Sequence, residues 1–448
     1  MSGHRAKGRR GTPGERAAKG PSPSAHPSVP PTRMTLTIES LSAGGDGVAR
    51  HDGLVVFTPR VAPGDEVTAD VSVSGRVGHG TLVRVERAGA SRIEAPCAHY
   101  ASPDKCGGCQ WQQVELGAQR EAKRAMVRDA FARIAKREVA LPEIVVGEGW
   151  RYRRSLTLAI RRRADGRVYA GLRAYDDPEA VFDLHDCLIT APEVLDAWRA
   201  ILAAAEHLPE EPRLRGTVRV INARPHFTLE GGTAWEGIND FLDAVPSLAA
   251  IWWHGEGKRR RIVADRRPSG EPGGSFVQVN PEVAARLQEA LIAQAMAHAP
   301  RTVIDGFSGA GDTAVALAER GVRVAAVELD EEATAYAATR LPAGSRAIAA
   351  RVEEAIASLL PADVVILNPP RAGVDARVTA ALVAALVTPL ASGAERPKAI
   401  LYVSCDPATL ARDVARLDGW RVHTLQCFDM FPQTAHVETL CELRPEGA

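Results

Sequence analysis

The C-terminal part of the chain, from about residue 276 onward, alternates short apolar runs with helix-like segments. Apolar runs such as VRVAAVELD and KAILYVSC end in small or polar residues, and amphipathic segments such as EEATAYAATRL and DPATLARDVARL follow them. This alternation predicts an α/β fold with a doubly wound, mostly parallel sheet. The last two runs, GWRVHTLQCFDMF and HVETLCELR, have no helix between them, so we expect them to form an antiparallel edge.

The rest of the chain divides into three parts. Residues 1–33 carry seven Lys or Arg against one Glu among many Gly, Pro and Ser, which predicts a disordered basic tail. Short alternating runs separated by Gly-Gly, Asp-Gly, Pro-Gly and Ser-Gly predict an OB-like β-barrel of about five strands over residues 34–92. Residues 93–275 are expected to form a central α+β domain, and residues 276–448 the α/β domain.

Charge is unevenly distributed, although the net charge is zero. Trp150 to Arg173 contain eight arginines and one Asp, and LTLAIRRRADGRVYAGLR predicts a hairpin that turns at Asp165-Gly166. These arginines belong either to a solvated face or to a surface that binds an RNA backbone. Trp252 and Trp253 precede another basic stretch, where they suit either stacked bases or the protein core.

Four cysteines suggest a metal site in the central domain. PCAHYASPDKCGGCQWQQ places Cys97, Cys106 and Cys109 close in sequence, and Cys187 follows in DLHDCLI. The chain has no apolar run that could span a membrane or form a secretory signal, so we expect a cytoplasmic protein with reduced cysteines. The spacing favours a four-thiolate site and leaves zinc and an iron–sulfur cluster as alternatives.

Two motifs favour a nucleoside-containing cofactor such as S-adenosylmethionine. DGFSGAG (Asp305 to Gly311) follows the first strand of the α/β domain, where small residues allow a ligand to approach the backbone. Glu328 ends the next strand and could accept hydrogen bonds from ribose hydroxyls. Asn368 ends a later strand in the rigid turn NPPRAG.

Cys405 lies at the end of the strand ILYVS and before a probable helix. Many buried cysteines are inert apolar residues. However, open sheets bind ligands at the carboxyl ends of their strands, and a helix N-terminus stabilises a thiolate. The position therefore favours a nucleophile.

Taken together, these motifs resemble the RNA 5-methyluridine (uracil-C5) methyltransferases of the iron–sulfur class. The resemblance runs from about residue 34 to the C-terminus and rests on CGGCQW, FVQVN, DGFSGAG, NPPRAG, YVSCDP and DMFPQTAHVE. It implies an N-terminal TRAM barrel, a central domain with an iron–sulfur cluster and an RNA-binding surface, and a Rossmann-like methyltransferase domain. The implied reaction is S-adenosylmethionine-dependent methylation of uridine carbon 5 in RNA, as in the bacterial 23S rRNA uracil-5-methyltransferases, through a covalent cysteine adduct at carbon 6.

The resemblance also implies roles for particular residues. Cys405 corresponds to the nucleophile, and Glu438 to the base that removes the carbon 5 proton. Cys97, Cys106, Cys109 and Cys187 correspond to the ligands of a [4Fe-4S] cluster. The positions expected to contact S-adenosylmethionine are Gln278, Phe307, Gly309, Gly311, Asp312, Glu328 and Asn368. We expect a monomer.

The chain departs from the family pattern at several positions. Asn368 replaces the usual Asp, Gly306 replaces a larger apolar residue, and Arg351 stands where an acid often contacts the cofactor, so no contact is assigned there. Asp406 replaces an Asn beside Cys405, and its charge is expected to raise the pKa of the thiol.

Several alternative functions remain open at this point. One is methylation of transfer RNA, although the barrel and the cysteine cluster favour ribosomal RNA. Another is a non-catalytic RNA-binding protein on the same fold. An amino-methyltransferase is less consistent with Arg371 after Pro370, and a cytosine-5 methyltransferase usually has a Pro-Cys that NPPRAG lacks.

Overall fold

A computed structural model describes residues 30–267, 278–387 and 396–447. Most of the predicted basic tail, residues 1–29, and the beginning of the predicted C-terminal domain, residues 276–277, lie outside these ranges. None of the helices in the described ranges combines the length and the apolar character needed to cross a membrane.

The N-terminal domain is a six-stranded sheet in the order β1-β5-β6-β4-β3-β2, one strand more than the sequence predicted. Alternate residues of β5 are buried, as expected for a strand with one face on a core. The first strand begins at Thr32, so Thr32 and Arg33 belong to this sheet and not to the tail. The strands are β1 Thr32–Thr37, β2 Ser40–Leu41, β3 Gly47–His51, β4 Leu54–Thr58, β5 Glu66–Ser74 and β6 Val77–Arg87.

The segment that follows packs on the C-terminal sheet. It contains α1 (Leu116–Ala130), a π-helical turn (Phe131–Ala135) and β7 (Glu143–Val145). Val127 and Phe131 are fully buried in the core of the C-terminal domain. The apolar face of this segment, which the sequence assigned to the central domain, is therefore buried against the C-terminal domain, a distant part of the chain.

The central domain has a second six-stranded sheet in the order β13-β12-β11-β10-β8-β9, with α2 and α3 packed on it. The predicted hairpin is confirmed: β8 and β9 pair antiparallel, and Gly166 in the turn has φ 84°. The elements are β8 Ser155–Arg162, β9 Val168–Gly171, α2 Pro192–Ala203, a 3-10 turn Ala205–His207, β10 Arg213–Ile221, β11 Arg224–Glu230, α3 Ile238–Ala244, β12 Ala250–His254 and β13 Arg261–Asp265.

The C-terminal domain contains the predicted mostly parallel sheet with helices on both faces. The elements are α4 Pro281–Ala297, β14 Thr302–Gly306, α5 Asp312–Ala318, β15 Arg323–Glu328, α6 Glu331–Arg340, β16 Arg346–Ala349, α7 Val352–Leu359, β17 Val364–Leu367, α8 Ala376–Val387, β18 Ala399–Ser404, α9 Pro407–Val414, β19 Trp420–Phe428 and β20 Glu438–Pro445. Strands β14 to β18 pair in parallel, in the order β16-β15-β14-β17-β18.

The antiparallel end of this sheet differs from the expectation in one respect. β20 pairs antiparallel with both β18 and β19, as predicted. However, β19 is not the edge strand, since β7 pairs with it in parallel and extends the sheet to eight strands. A strand near residue 144 therefore completes a sheet that otherwise comes from residues 302–445.

Candidate active site

The loop after β14 has a backbone shape that favours glycine. Gly309 and Gly311 have φ of 55° and 83°, and Phe307, which is not glycine, has φ 62°. A Cβ atom at Gly311 would lie 2.7 Å from the Cβ of Ala337, so no larger residue fits there without a shift. Left-handed backbone at non-glycine residues is uncommon and concentrates at ligand sites. The loop therefore has the features of a ligand cradle.

Neighbouring strand ends hold this loop in place. Glu328, at the end of β15, accepts a hydrogen bond from the Gly309 N–H at 3.0 Å. The Asn368 N–H, just after β17, donates to the Gly306 carbonyl at 3.2 Å, and the Asn368 side chain is exposed. Cofactor residues predicted from separate motifs thus meet at one edge of the sheet, where open α/β sheets bind ligands.

Asp305 adds a buried acid beside the loop. Its side chain is 2% exposed, and its Oδ2 has no hydrogen-bond partner in the described chain. Burial raises the pKa of this carboxyl to about 7, and the charges of Glu328 and Asp312 act in the same direction. Because buried polar atoms are nearly always paired, a free oxygen beside a glycine loop fits a bound group with hydrogen-bond donors. The amino and hydroxyl groups of S-adenosylmethionine meet that requirement.

Cys405 and Glu438 face each other on adjacent antiparallel strands. Ser404 pairs with Thr439, so the next position in this register places Cys405 opposite Glu438. Cys405 is partly exposed, whereas Glu438 is 4% exposed. Burial raises the pKa of the Cys405 thiol, and the nearby charge of Glu438 acts in the same direction. A partly exposed thiol and a buried carboxyl group therefore share one end of the sheet.

Arg371 supplies the positive charge at this pair. Its hydrogen bond and its charge lower the pKa of the Cys405 thiol, although burial and Glu438 outweigh them and the pKa is raised overall. Burial raises the pKa of Glu438 to about 8, and Arg371 opposes that change. Arg371 also contacts His436, with 3.4 Å between Nη2 and Nε2. Sequence reasoning did not assign Arg371 to the site, although it lies in the NPPRAG motif.

Comparisons with known proteins identify the family. The family described as "tRNA (Uracil-5-)-methyltransferase" matches residues 349–444, and the TRAM domain matches residues 31–83. An uncharacterized RNA methyltransferase of Listeria monocytogenes is 30% identical over 92% of this chain and 97% of its own. The 23S rRNA (uracil(1939)-C(5))-methyltransferase RlmD of Chromohalobacter salexigens is 33% identical over 90% of this chain and 88% of its own. The chain belongs to the RNA uracil-5-methyltransferase family.

The fold of this chain is similar to that of a solved structure. The tRNA (uracil-54, C5)-methyltransferase of Pyrococcus abyssi, in complex with S-adenosyl-L-homocysteine, has a TM-score of 0.66 and 22% identity, covering 92% of this chain and 99% of its own. The mixed α/β fold with an N-terminal TRAM domain, predicted from the sequence, is thereby confirmed.

Two other predicted cofactor residues lie in the described chain. Gln278 is partly buried and lies two residues before Asn280, whose side chain caps α4 by accepting from the Val283 N–H at 3.3 Å. Asp312 begins α5, is exposed, and pairs with Arg340 at 2.6 Å. Gln278 therefore lies beside the start of α4, and one carboxylate oxygen of Asp312 forms an ion pair with Arg340. Their cofactor contacts remain predictions.

The four predicted cluster cysteines are free thiols that influence one another electrostatically. Burial raises the pKa of Cys106 to about 11 and of Cys109 to about 12, and Cys187 and Cys97 raise both further. Within residues 30–267, 278–387 and 396–447, however, no group of three or more His, Cys, Asp or Glu side chains is arranged to hold a metal ion. The donor set fits a thiolate-bound cluster, but the side chains do not form an assembled ligand cage.

The structure corrects one expectation about an individual residue and decides one alternative that the sequence left open. Asp406 was expected to raise the pKa of Cys405, but its side chain caps α9 by accepting from the Thr409 N–H at 2.8 Å, and the upward shift comes mainly from burial. Trp252 and Trp253 are 4% and 2% exposed. Their indoles are therefore part of the central core, with arginine or lysine groups over their faces, and are not free to stack on bases.

Proposed function

We propose that this protein transfers a methyl group from S-adenosylmethionine to carbon 5 of a uridine in 23S rRNA, through a covalent bond between Cys405 and carbon 6. The observation that carries the proposal is the position of Cys405 opposite Glu438, one residue beyond the Ser404–Thr439 pair, at the sheet edge that also holds the glycine loop. A non-catalytic protein would have no need to keep a thiol, a buried acid and an arginine together there. Membership of the uracil-5-methyltransferase family supports the same reaction.

The cofactor is assigned to the cradle formed by the glycine loop, Asp305 and Glu328. S-adenosylmethionine, when bound, supplies an electrophilic methyl group on its sulfonium sulfur. The cradle residues would bind and orient the cofactor, and the Asp305 oxygen that has no partner in the described chain would be available to accept a hydrogen bond from it.

The chemical steps are assigned to Cys405 and Glu438. Carbon 5 of uracil is a poor nucleophile, so the Cys405 thiolate first adds to carbon 6 and moves electron density to carbon 5. After carbon 5 has formed its bond to the methyl group, the Glu438 carboxylate removes the remaining proton from carbon 5. The electron pair of that bond restores the ring double bond, and the sulfur–carbon 6 bond breaks to return the thiolate. The target uridine must leave its stack to reach Cys405.

A cleft between the TRAM domain and the central sheet is proposed to bind the RNA strand. It has a volume of about 840 Å³ and is lined by Arg60, Arg161, Arg173 and Tyr175, among others. The Arg60 guanidinium is stacked between two aromatic rings, 3.5 Å from the Tyr100 centroid and 4.6 Å from the Tyr175 centroid. Burial and the nearby Arg213 and Arg173 lower the pKa of Arg161, although Glu179, which pairs with Arg213, opposes that change. Phosphates and an unpaired base would complement this surface.

The choice of RNA is tested by mapping the product. Ribosomal and transfer RNA from a deletion strain, each incubated with the purified enzyme and S-adenosylmethionine, are digested and analysed for 5-methyluridine by mass spectrometry. We expect 5-methyluridine to form in 23S rRNA and not in transfer RNA. Methylation of transfer RNA alone would replace the 23S assignment, and a missing product with both would contradict the proposed activity.

A [4Fe-4S] cluster bound by Cys97, Cys106, Cys109 and Cys187 is also proposed. It is supported by four free thiols on two chain segments, three of which are buried. No catalytic step is assigned to the cluster. Its proposed role is to join residues 97–109 to Cys187 in the central domain.

Iron analysis checks this assignment. The protein purified without oxygen is expected to be brown and to contain about four irons per chain. The Cys106→Ala variant is expected to lose most of the iron, whereas Cys441→Ala, which removes a fully buried thiol of β20, should retain it. Stoichiometric zinc, or equal iron in the two variants, would contradict the cluster.

The pH dependence of methylation is expected to reveal the effect of Arg371 on the ionisation of Cys405 and Glu438. Glu438 acts as a base and Cys405 as a nucleophile only when ionised, and burial raises the pKa of both groups, that of Glu438 to about 8, so kcat is expected to rise with pH across this range and to fall as the pH drops below it. Arg371 lowers the pKa of both Cys405 and Glu438. Arg371→Gln should therefore move the rising limb of kcat to higher pH, by up to about one unit. The profile is measured from pH 6.5 to 9.5 with saturating cofactor, at about half-unit intervals.

Arg371→Lys is the matched control, since it retains a positive charge. In the Arg371→Lys variant, the rising limb of the kcat profile should stay close to its wild-type pH. If Arg371→Gln lowers kcat equally at every pH, the arginine acts in some way other than through these two ionisations.

A further inference from the structure

The loop between β19 and β20 leads directly into Glu438. This loop, residues 429–437, is largely buried, with Asp429, Met430 and Gln433 each at most 1% exposed. Gln433 has φ 67°, an uncommon conformation for a residue other than glycine. A loop in such a conformation needs contacts from elsewhere to hold it, and it sets where the Glu438 carboxyl lies.

Gln119 of α1 holds the middle of this loop. Its side-chain amide forms a reciprocal pair with Gln433: Gln119 Nε2 donates to Gln433 Oε1 at 3.0 Å, and the Gln433 N–H donates to Gln119 Oε1 at 3.0 Å. Gln119 is itself 1% exposed, and Nε2 also donates to the carbonyls of Trp111 and Val114. Both polar atoms of the Gln119 side chain are therefore hydrogen-bonded, so the amide group is held in one orientation.

Lys123, one turn further along α1, holds the beginning of the loop. Its side chain is fully buried, and Nζ donates to Asp429 Oδ1 at 2.6 Å and to the Phe431 carbonyl at 2.9 Å. Arg120 donates to the second Asp429 oxygen at 3.2 Å. A buried ion pair adds little stability compared with apolar residues, because desolvation offsets the attraction. Its effect here is to fix the loop geometry.

The segment around the predicted cluster cysteines reaches the same loop. The backbone N–H groups of Gln110 and Trp111, directly after Cys109, both donate to the Gln433 carbonyl at 3.1 Å. The Tyr152 hydroxyl donates to the Pro432 carbonyl at 3.0 Å. The loop therefore rests on residues 110–152 through side chains and backbone together, about 300 positions away in sequence.

We propose that Gln119 and Lys123 are positioning residues, which hold the 429–437 loop so that the Glu438 carboxylate faces carbon 5 of the uridine bound to Cys405. This inference rests on the proposed function. Neither residue touches the reacting atoms in this arrangement. Their loss should impair the proton-removal step that depends on Glu438 and leave the earlier addition by Cys405 intact.

The test uses full-length Gln119→Leu and Lys123→Met proteins, which remove the polar contacts while keeping similar side-chain size. With uridine-containing substrate RNA, we expect kcat to fall about 10- to 100-fold and KM for RNA and cofactor to stay within about twofold. A methylated RNA–protein adduct, stable in denaturing gels, should accumulate, because its breakdown needs Glu438. Trapping by RNA with 5-fluorouridine at the target position should proceed as in the wild type, because that adduct forms without proton removal.

His298→Leu is the control for loss of a buried polar contact. His298 lies 2.9 Å from Glu442, further along β20 and away from the loop. This variant should lower the melting temperature without accumulating the methylated adduct. Each rate is normalised to the fraction of protein that 5-fluorouridine RNA traps, so that partial unfolding does not affect the comparison.

The outcomes separate this inference from the proposed function. If the two α1 variants match His298→Leu, with no adduct and wild-type kcat per folded molecule, the positioning role is wrong. If only one of them accumulates the adduct, the role belongs to that residue alone and the joint proposal is overturned. If wild-type enzyme forms no adduct with 5-fluorouridine RNA, the covalent mechanism itself fails.

Discussion

Replacement of Cys405 by alanine is expected to abolish methyl transfer, lowering kcat by more than about 10⁴-fold. The thiol lies at the end of β18, opposite Glu438, and no other cysteine of the described chain has that position. Without the sulfur, carbon 5 of the uridine stays too poor a nucleophile to accept the methyl group. The measurement is transfer of a labelled methyl group to substrate RNA under single-turnover conditions.

Cys427→Ala serves as the matched control. Cys427 lies on β19 in the same sheet, and its thiol is fully buried. This variant should methylate at close to the wild-type rate and still form the adduct with 5-fluorouridine RNA, whereas Cys405→Ala should do neither. Both proteins should bind S-adenosylmethionine, since the cradle lies on β14 and β15. Wild-type methylation by Cys405→Ala would contradict the covalent mechanism.

Replacement of Glu438 by glutamine is expected to stop turnover after methyl transfer, at the removal of the carbon 5 proton. The amide cannot accept the carbon 5 proton, so kcat should fall about 10²- to 10⁴-fold. Cys405 can still add to carbon 6, and the methyl group can still be transferred. The variant should therefore accumulate an RNA adduct that already carries the methyl group, which mass spectrometry of the cross-linked nucleotide detects.

Glu442→Gln provides the comparison for this prediction. Glu442 is also a buried acid of β20, but it pairs with His298 and Arg444 away from Cys405. Its loss should affect stability and leave the adduct at the wild-type level. If Glu438→Gln turns over normally, or blocks the reaction before any methyl is transferred, Glu438 is not the base for carbon 5.

Local sequence patterns predicted much of the site. The glycine loop, Glu328, Asn368 and Cys405 each follow an apolar run, and parallel strands bring their carboxyl ends to one edge. Glu438 came from the family resemblance alone, because a single acid at the start of a strand carries no distinctive pattern. Arg371 could have been noticed from its motif, but its effect on two ionisations depends on where that turn places it relative to Cys405.

Other features could not be read from local patterns. β7 adds to a sheet whose other strands begin about 160 residues later, and a three-residue strand has too little periodicity to reveal its partner. Trp252 and Trp253 are core residues although cations follow them in sequence, since both burial and RNA stacking suit the same residue types. The arrangement of the cysteine side chains, which within the described ranges does not form a group suited to hold a metal ion, likewise depends on side-chain positions that spacing does not specify.

The amino-acid sequence by itself determined the alternation of strands and helices in the C-terminal domain, the resemblance to TRAM-containing methyltransferases, and the candidate residues for the proposed chemistry. These follow from periodicity and from motifs that span a few residues. Only the tertiary structure decided that Glu438 faces Cys405 beside Arg371, and that α1 supports the loop before Glu438. Such contacts join residues up to about 300 positions apart, and they depend on how buried surfaces pack, which no local pattern records.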